Sequence, residues 1–132
     1  MDSQRLIEIR KQARAERWSF VKHKDVLREA GVVLIRMKLV TGETEFLDGT
    51  GASVVLSPPS LLNRTVAFDF QPDAIEQTRY RYGTGRISLE EHYSDLTSAG
   101  VRMYEQDLAD LSTCYYGWSE HLPDRSLITT ED

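Results

Sequence analysis

Apolar positions along the chain form two helical stripes and then an alternating stretch, and the arrangement occurs twice. In the first occurrence Leu6, Ile9 and Ala13 recur at spacings of three and four. Asp2 or Ser3 can cap this helix, which the pattern carries to about Arg17. Ser19 caps a second helix with the stripe Phe20, His23, Leu27 and Ala30, and Gly31 ends it in the left-handed conformation that glycine adopts at little cost. A strand from Val32 to Val40 follows, with Val33, Ile35, Met37 and Leu39 as its expected core face.

A shift of 69 residues brings up the same text. Ser88 caps a helix with Glu91 at the reciprocal capping-box position; its stripe is Leu89, His92, Leu96 and Ala99, Gly100 stops it, and Val101 starts a strand. Residues 17–46 and 86–115 share nine identical positions, among them His23/His92, Leu27/Leu96, Gly31/Gly100 and Thr44/Thr113, where unrelated sequences would share roughly two. Upstream, Leu6 and Arg10 match Ile75 and Arg79 in a segment that Pro72 opens as a helix and Gly83 closes.

Each half therefore reads as helix, helix, strand, strand, with Thr41-Gly42 and Ala109-Asp110 as the hairpin turns. Val54 to Leu56, Val66 to Phe70 and Leu127 to Thr129 are weaker extended candidates. Ser57-Pro58-Pro59-Ser60 must be extended, because a proline bars helix for the residue before it. The expectation is one α+β domain over residues 1–132: repeat 1 at about 3–56, a linker at about 57–71 and repeat 2 at about 72–130, forming a mostly antiparallel sheet covered by helices. Neither unit of about 50 residues can easily bury both faces alone.

Charge and cysteine content narrow the partners. The net charge is −5, divided between +3 over residues 1–29 and −8 over residues 90–132. Arg5, Arg10, Lys11, Arg14 and Arg17 alternate with Glu8 and Glu16, which reads as a solvated helix face, so no nucleic-acid partner is expected. Cys114 stands alone, which excludes an internal disulfide and a cysteine-rich zinc site and suits a cytoplasmic location. No apolar run reaches the roughly 18 residues of a membrane span, so no membrane partner is expected either. His23, His92 and His121 share no metal-ligand spacing, and the chain calls for no metal and no cofactor.

Ala99-Gly100-Val101, Tyr104, Asp107, Thr113 and Tyr115-Tyr116 resemble the C-terminal signature of the uncharacterised bacterial family of the YbcV and YdfO type, often labelled phage envelope protein. The resemblance lies mainly over residues 84–118. It implies a compact α+β fold of about this length and carries no established chemistry.

Candidate chemistry follows from the paired positions. His23 and His92 could face one shared cleft as proton-transfer groups; as the fourth residue after each serine cap they equally suit a place in a hydrophobic staple. Arg36 aligns with Glu105 and Lys38 with Asp107, so strands lying side by side could form an Arg36–Glu105 pair on an exposed face, or a buried polar cluster if helices cover that face. Leu111 to Trp118 reads as a strand with Cys114, Tyr116 and Trp118 on one face: walls of a pocket, with Cys114 as a nucleophile, or simply interior strand residues.

Two functions of different class result. One is a small-molecule-binding protein or cofactor-independent enzyme with a cleft between the halves, in which His92, Glu105 and Tyr116 do acid–base chemistry and Arg36, Tyr104, Cys114, Trp118 and His23 hold the ligand. The other is a non-enzymatic module that binds a protein partner.

Overall fold

The computed structural model describes residues 1–124. The helices are α1 (Ser3–Ala15), α2 (Phe20–Glu29), α3 (Pro72–Gly83) and α4 (Leu89–Ser98). The strands are β1 (Val32–Lys38), β2 (Thr44–Asp48), β3 (Ser53–Leu56), β4 (Met103–Asp107), β5 (Thr113–Tyr116) and β6 (His121–Asp124). The fold class is α+β, and the order α-α-β-β-β occurs twice.

The helix limits follow the local chemistry. Asp2 caps α1 by accepting from Gln4 N–H, Ser19 caps α2 by accepting from Lys22 N–H, and Ser88 and Glu91 form the reciprocal box on α4. α2 and α4 end at Gly31 and Gly100, with φ of 98° and 91°. At Leu111, where the first half has Gly42, a leucine takes φ of 60°.

All neighbouring strands pair antiparallel, in the order β3-β2-β1-β4-β5-β6. The two halves meet at β1 and β4. There Arg36 faces Glu105, flanked by Leu34 opposite Asp107 and Lys38 opposite Met103, so positions 69 apart sit symmetrically about the Arg36–Glu105 pair. Each half contributes a third strand beyond the two its pattern predicts. β3 takes up the weak Val54–Leu56 signal; β6 carries Pro123, which an edge strand tolerates because its outward side needs no donor. Val66 to Phe70 is not a strand, and Leu127 to Thr129 lies outside the described residues.

All four helices lie on one face of the sheet. Leu6 and Ile9 of α1 and Leu27 of α2 pack on Phe46 and Leu56; Ile75 of α3 and Leu96 of α4 pack on Met37, Leu39 and Tyr115. Leu6, Ile9, Leu27, Ile75 and Leu96 are essentially fully buried, and burial of each such side chain contributes about 1.5–3 kcal/mol. Alternation puts Arg36, Glu45, Glu105, Cys114 and Tyr116 on the opposite, helix-free face. Ile35, Met37 and Leu39 are core-facing as expected. Val33 is not: a register irregularity between Val32 and Leu34 displaces it, and it is 43% exposed.

Residues 57–71 tie the halves together. Leu62 and Arg64 N–H donate to the carbonyls of Thr41 and Val40 in the first half, and Ala67 and Gln71 N–H donate to those of Thr97 and Ala99 in the second. The chain passes so close to Gly100 that a Cβ there would overlap the Asp69 carbonyl. Among the described residues no helix is long and apolar enough to cross a membrane.

Candidate functional site between the helix pairs

On the helix-free face, one row of side chains crosses the four central strands β2, β1, β4 and β5. Arg36 Nε donates to Glu105 Oε2 at 2.7 Å and its Nη1 to Glu45 Oε1 at 2.7 Å, while the Tyr116 hydroxyl donates to Glu105 Oε1 at 2.8 Å. Burial pushes the Glu45 carboxyl up, but the Arg36 hydrogen bond, helped by Ser53 and by the charges of Arg36 and Lys38, holds it below the ordinary range. Hydrogen bonding with Cys114 and then with Glu105 raises the Tyr116 hydroxyl well above its usual value, so it stays protonated. Every partner in the row is used by another member. The row clamps strands together and leaves no unpaired base or cation to meet a ligand.

His92 is on the other side of the sheet. It is 7% exposed between α3 and α4, its ring stacked on Tyr82 at 4.8 Å and Nδ1 3.0 Å from Thr78 Oγ1. The Thr78 hydroxyl donates to Asp95 Oδ2, 3.0 Å away, so Nδ1 is the protonated ring nitrogen and donates to Thr78. Burial pushes the His92 pKa down to about 4 against the pull of Asp95 and Thr78, which leaves the ring neutral at pH 7. The sheet separates His92 from Glu105 and Tyr116. The structure therefore does not assemble the expected acid–base trio: strand alternation sends Glu105 and Tyr116 away from the face that α4 covers.

A different group of residues converges at the centre of the helix-covered face. The closest helix–helix packing is within each pair, α1 on α2 and α3 on α4. Beneath the junction of the pairs, the central floor residues Ile35, Tyr104 and Gln106 are only half-buried, while Phe46, Thr113 and Tyr115 to either side are buried. A sheet centre should be the driest part of such a fold, yet these three residues keep partial contact with solvent; we call this strip of floor between the helix pairs the trough.

Both halves furnish the walls. Arg10 flanks the buried Leu6–Ile9–Ala13 stripe of α1 and reaches electrostatically to Tyr93 of α4 and Tyr104 of β4. The two tyrosine hydroxyls are 3.3 Å apart, and the Arg64 guanidinium lies 5.3 Å from the centre of the Tyr93 ring. His23 of α2 packs edge-on to Trp18 at 6.3 Å, and its Nε2 is buried with no hydrogen-bond partner. Burial, reinforced by Arg10, lowers the His23 pKa. Burial raises the pKa of both tyrosines, so their hydroxyls are protonated donors.

Charge in the trough is one-sided. No carboxylate is among the groups that act on Arg10; burial and Arg14 lower its pKa, and Arg10 forms no ion pair with a described residue. Glu90, which acts on Tyr93, is engaged by Arg64 at 3.0 Å. The arrangement presents a guanidinium and phenol donors over a partly apolar floor. Among the described residues no group of three or more His, Cys, Asp and Glu is placed to hold a metal.

Of the residues singled out from sequence, Tyr104 lies on the trough floor, and His23 packs against Trp18. Arg36, Glu105, Cys114 and Tyr116 share the opposite face, Trp118 is 55% exposed just beyond β5, and His92 is sealed between α3 and α4. Sequence reasoning missed Arg10, Tyr93, Ile35 and Gln106. The signal was present in the 69-residue correspondence, which sets Ile35 against Tyr104 and Lys24 of the His23 turn against Tyr93 of the His92 turn. No protein-family model matches the chain, and no curated protein matches it.

Proposed function

We propose that the protein binds a small molecule in the trough between its two helix pairs, and that the trough arises from the meeting of two copies of one ancestral unit. The observation that carries this reading is the partial exposure of Ile35, Tyr104 and Gln106 at the centre of a helix-covered sheet. The repeated element order and the symmetric register about Arg36 and Glu105 support the shared ancestry. Membership of the YbcV and YdfO type family, proposed on Ala99-Gly100-Val101, Tyr104 and Tyr115-Tyr116, adds no chemistry of its own. Binding is favoured over acid–base catalysis because the neutral His92 and the saturated Glu105 stand on opposite sides of the sheet.

Thermal-shift screening of the chain against a metabolite panel tests the reading, beside Ile35→Phe, whose ring fills the floor, and Val55→Phe on the helix-free face. A ligand at a hundredfold excess over its Kd adds about 2.7 kcal/mol and raises Tm by several degrees. The reading expects such a shift in the parent and in Val55→Phe but not in Ile35→Phe. Absence of any stabilising metabolite, or an undiminished shift in Ile35→Phe, contradicts it. The alternative, a protein-binding module, is favoured by Phe68 and Trp118, which are 86% and 55% exposed.

A further inference from the structure

We propose that the β3 edge of the sheet is a dimerisation surface, on which a second copy of this chain adds its own β3 antiparallel to form one continuous twelve-stranded sheet. β3 and β6 are the two ends of the sheet, and their outward backbone groups differ. Asp48 N–H donates to the Ala52 carbonyl at 3.0 Å, so alternation along the ladder turns the backbone groups of Val54 and Leu56 toward β2 and those of Ser53 and Val55 outward. No described residue bonds those outward groups. At the other end Gly117 N–H donates to the Glu120 carbonyl, so His121 and Pro123 hold the outward positions of β6, and Pro123 has no N–H to offer. The β6 edge is thus guarded against a further strand, and the β3 edge is open to one.

The chemistry of β3 selects its own copy as the partner. From Gly51 to Ser57 the chain carries no charged side chain, although charged residues make up 28% of the whole. That matters on a two-fold axis, where every charge confronts its own image. An axis through Val54 sets Ser53 opposite Val55 of the second copy, and each such pair exchanges both of its backbone hydrogen bonds. On the helix-covered side Val54 then meets Val54 of the second copy, and Leu56 meets its Ala52. Val54 and Leu56 already pack on the core, so the apolar layer continues across the axis. Pro58 and Pro59 end the strand after Leu56, which pins the register at Val54. Long-range charge agrees: residues 1–70 hold eleven basic and nine acidic side chains, whereas residues 71–132 hold five and twelve. Joining at β3 brings the nearly balanced halves together and keeps the acidic halves at the far ends of the dimer.

Sedimentation velocity of the whole chain, from micromolar to millimolar concentration, is the test. The parent should pass from monomer to dimer and no further. Val55→Pro removes an N–H that β2 does not use, and because one bond is lost at each end of the axis, dimerisation should weaken about tenfold or more. Val55→Lys and Val55→Glu each set like charges at diagonal positions across the axis and should be monomeric alone; mixed in equal amounts, the two variants should recover a dimer. Val55 is 42% exposed, so both charged variants keep the parent's circular dichroism. His121→Lys, at the opposite edge, should sediment as the parent does. A parent that stays monomeric or grows beyond a dimer overturns the inference. So does a dimer that survives in Val55→Lys and Val55→Pro, or one that is lost in His121→Lys. The mixture decides the matter even if Val55→Pro perturbs the fold: failure to recover a dimer overturns the inference.

Discussion

The two halves share one succession of elements and differ in what the matching positions touch. Gly31 and Gly100 end α2 and α4 with nearly equal φ, yet nothing lies near Gly31, whereas residues 69–70 cross directly over Gly100. His23 keeps a buried nitrogen without a partner, while His92 is stacked on Tyr82 and bonded through Thr78 to Asp95. At the junction Arg36 and Glu105 occupy matching positions and pair with each other. Ile35 and Tyr104 also occupy matching positions, on the helix side, where Ile35 lies opposite Gln106 and Tyr104 opposite Met37. A common frame has thus been filled in two ways: the second half supplies most of the aromatic rings and locks the connecting segment, and the first supplies the unmatched cation.

Substituting the matched glycines gives the widest separation between the halves. Gly100→Ala adds a steric overlap with the Asp69 backbone to the strain of φ 91° and should cost about 3 kcal/mol or more. Gly31→Ala meets open space and should cost only the conformational strain, about 1 kcal/mol. Urea denaturation of the two variants measures the difference, and equal losses would remove the claim that the connecting segment crowds Gly100 and not Gly31.

The histidines should separate the halves in acid. Burial holds the His92 pKa in the fold at about 4 against 6.5 when unfolded. The neutral ring therefore stabilises fully above about pH 6.5, and that stability is lost as pH falls toward 4, by about 3 kcal/mol in all. His92→Gln should flatten this slope relative to the parent. His23, also lowered by burial, should contribute in the same direction, and His23→Gln tests its share.

At the junction, Arg36→Met leaves Glu45 and Glu105, with side chains only 15% and 17% exposed, facing each other without their common partner. The expected loss is about 2 kcal/mol near pH 7. It should shrink as pH falls, because protonation of Glu45 removes the repulsion. The smallest effect concerns Leu111, whose φ of 60° corresponds to Gly42 of the first half. Leu111→Gly should stabilise by up to about 1 kcal/mol, read as a higher urea midpoint with unchanged slope.

Much of the fold was legible because its signals are local. Serine caps, helix-stopping glycines and apolar spacing gave all four helices, and alternation gave β1 and the Arg36–Glu105 pairing. β6 escaped because Pro123 disguises an edge strand, and the displacement of Val33 escaped because an irregular register has no mark in a period-two pattern. The site was less legible, since it depends on which face the helices cover. Placing all helices on one face puts His92 and Tyr116 on opposite sides of the sheet.

Methyl-detected NMR during titration with a metabolite that stabilises the chain in the thermal-shift screen is the most direct test of where the molecule binds. Ile35 lies on the trough floor, while Leu34 and Met103 lie on the helix-free face beside Arg36 and Glu105. The largest shifts and the ligand contacts should fall on the Ile35 methyls and on the Tyr93 and Tyr104 rings, with Leu34 and Met103 nearly unmoved. Shifts concentrated on Leu34 and Met103 would place the binding surface on the helix-free face and contradict the account.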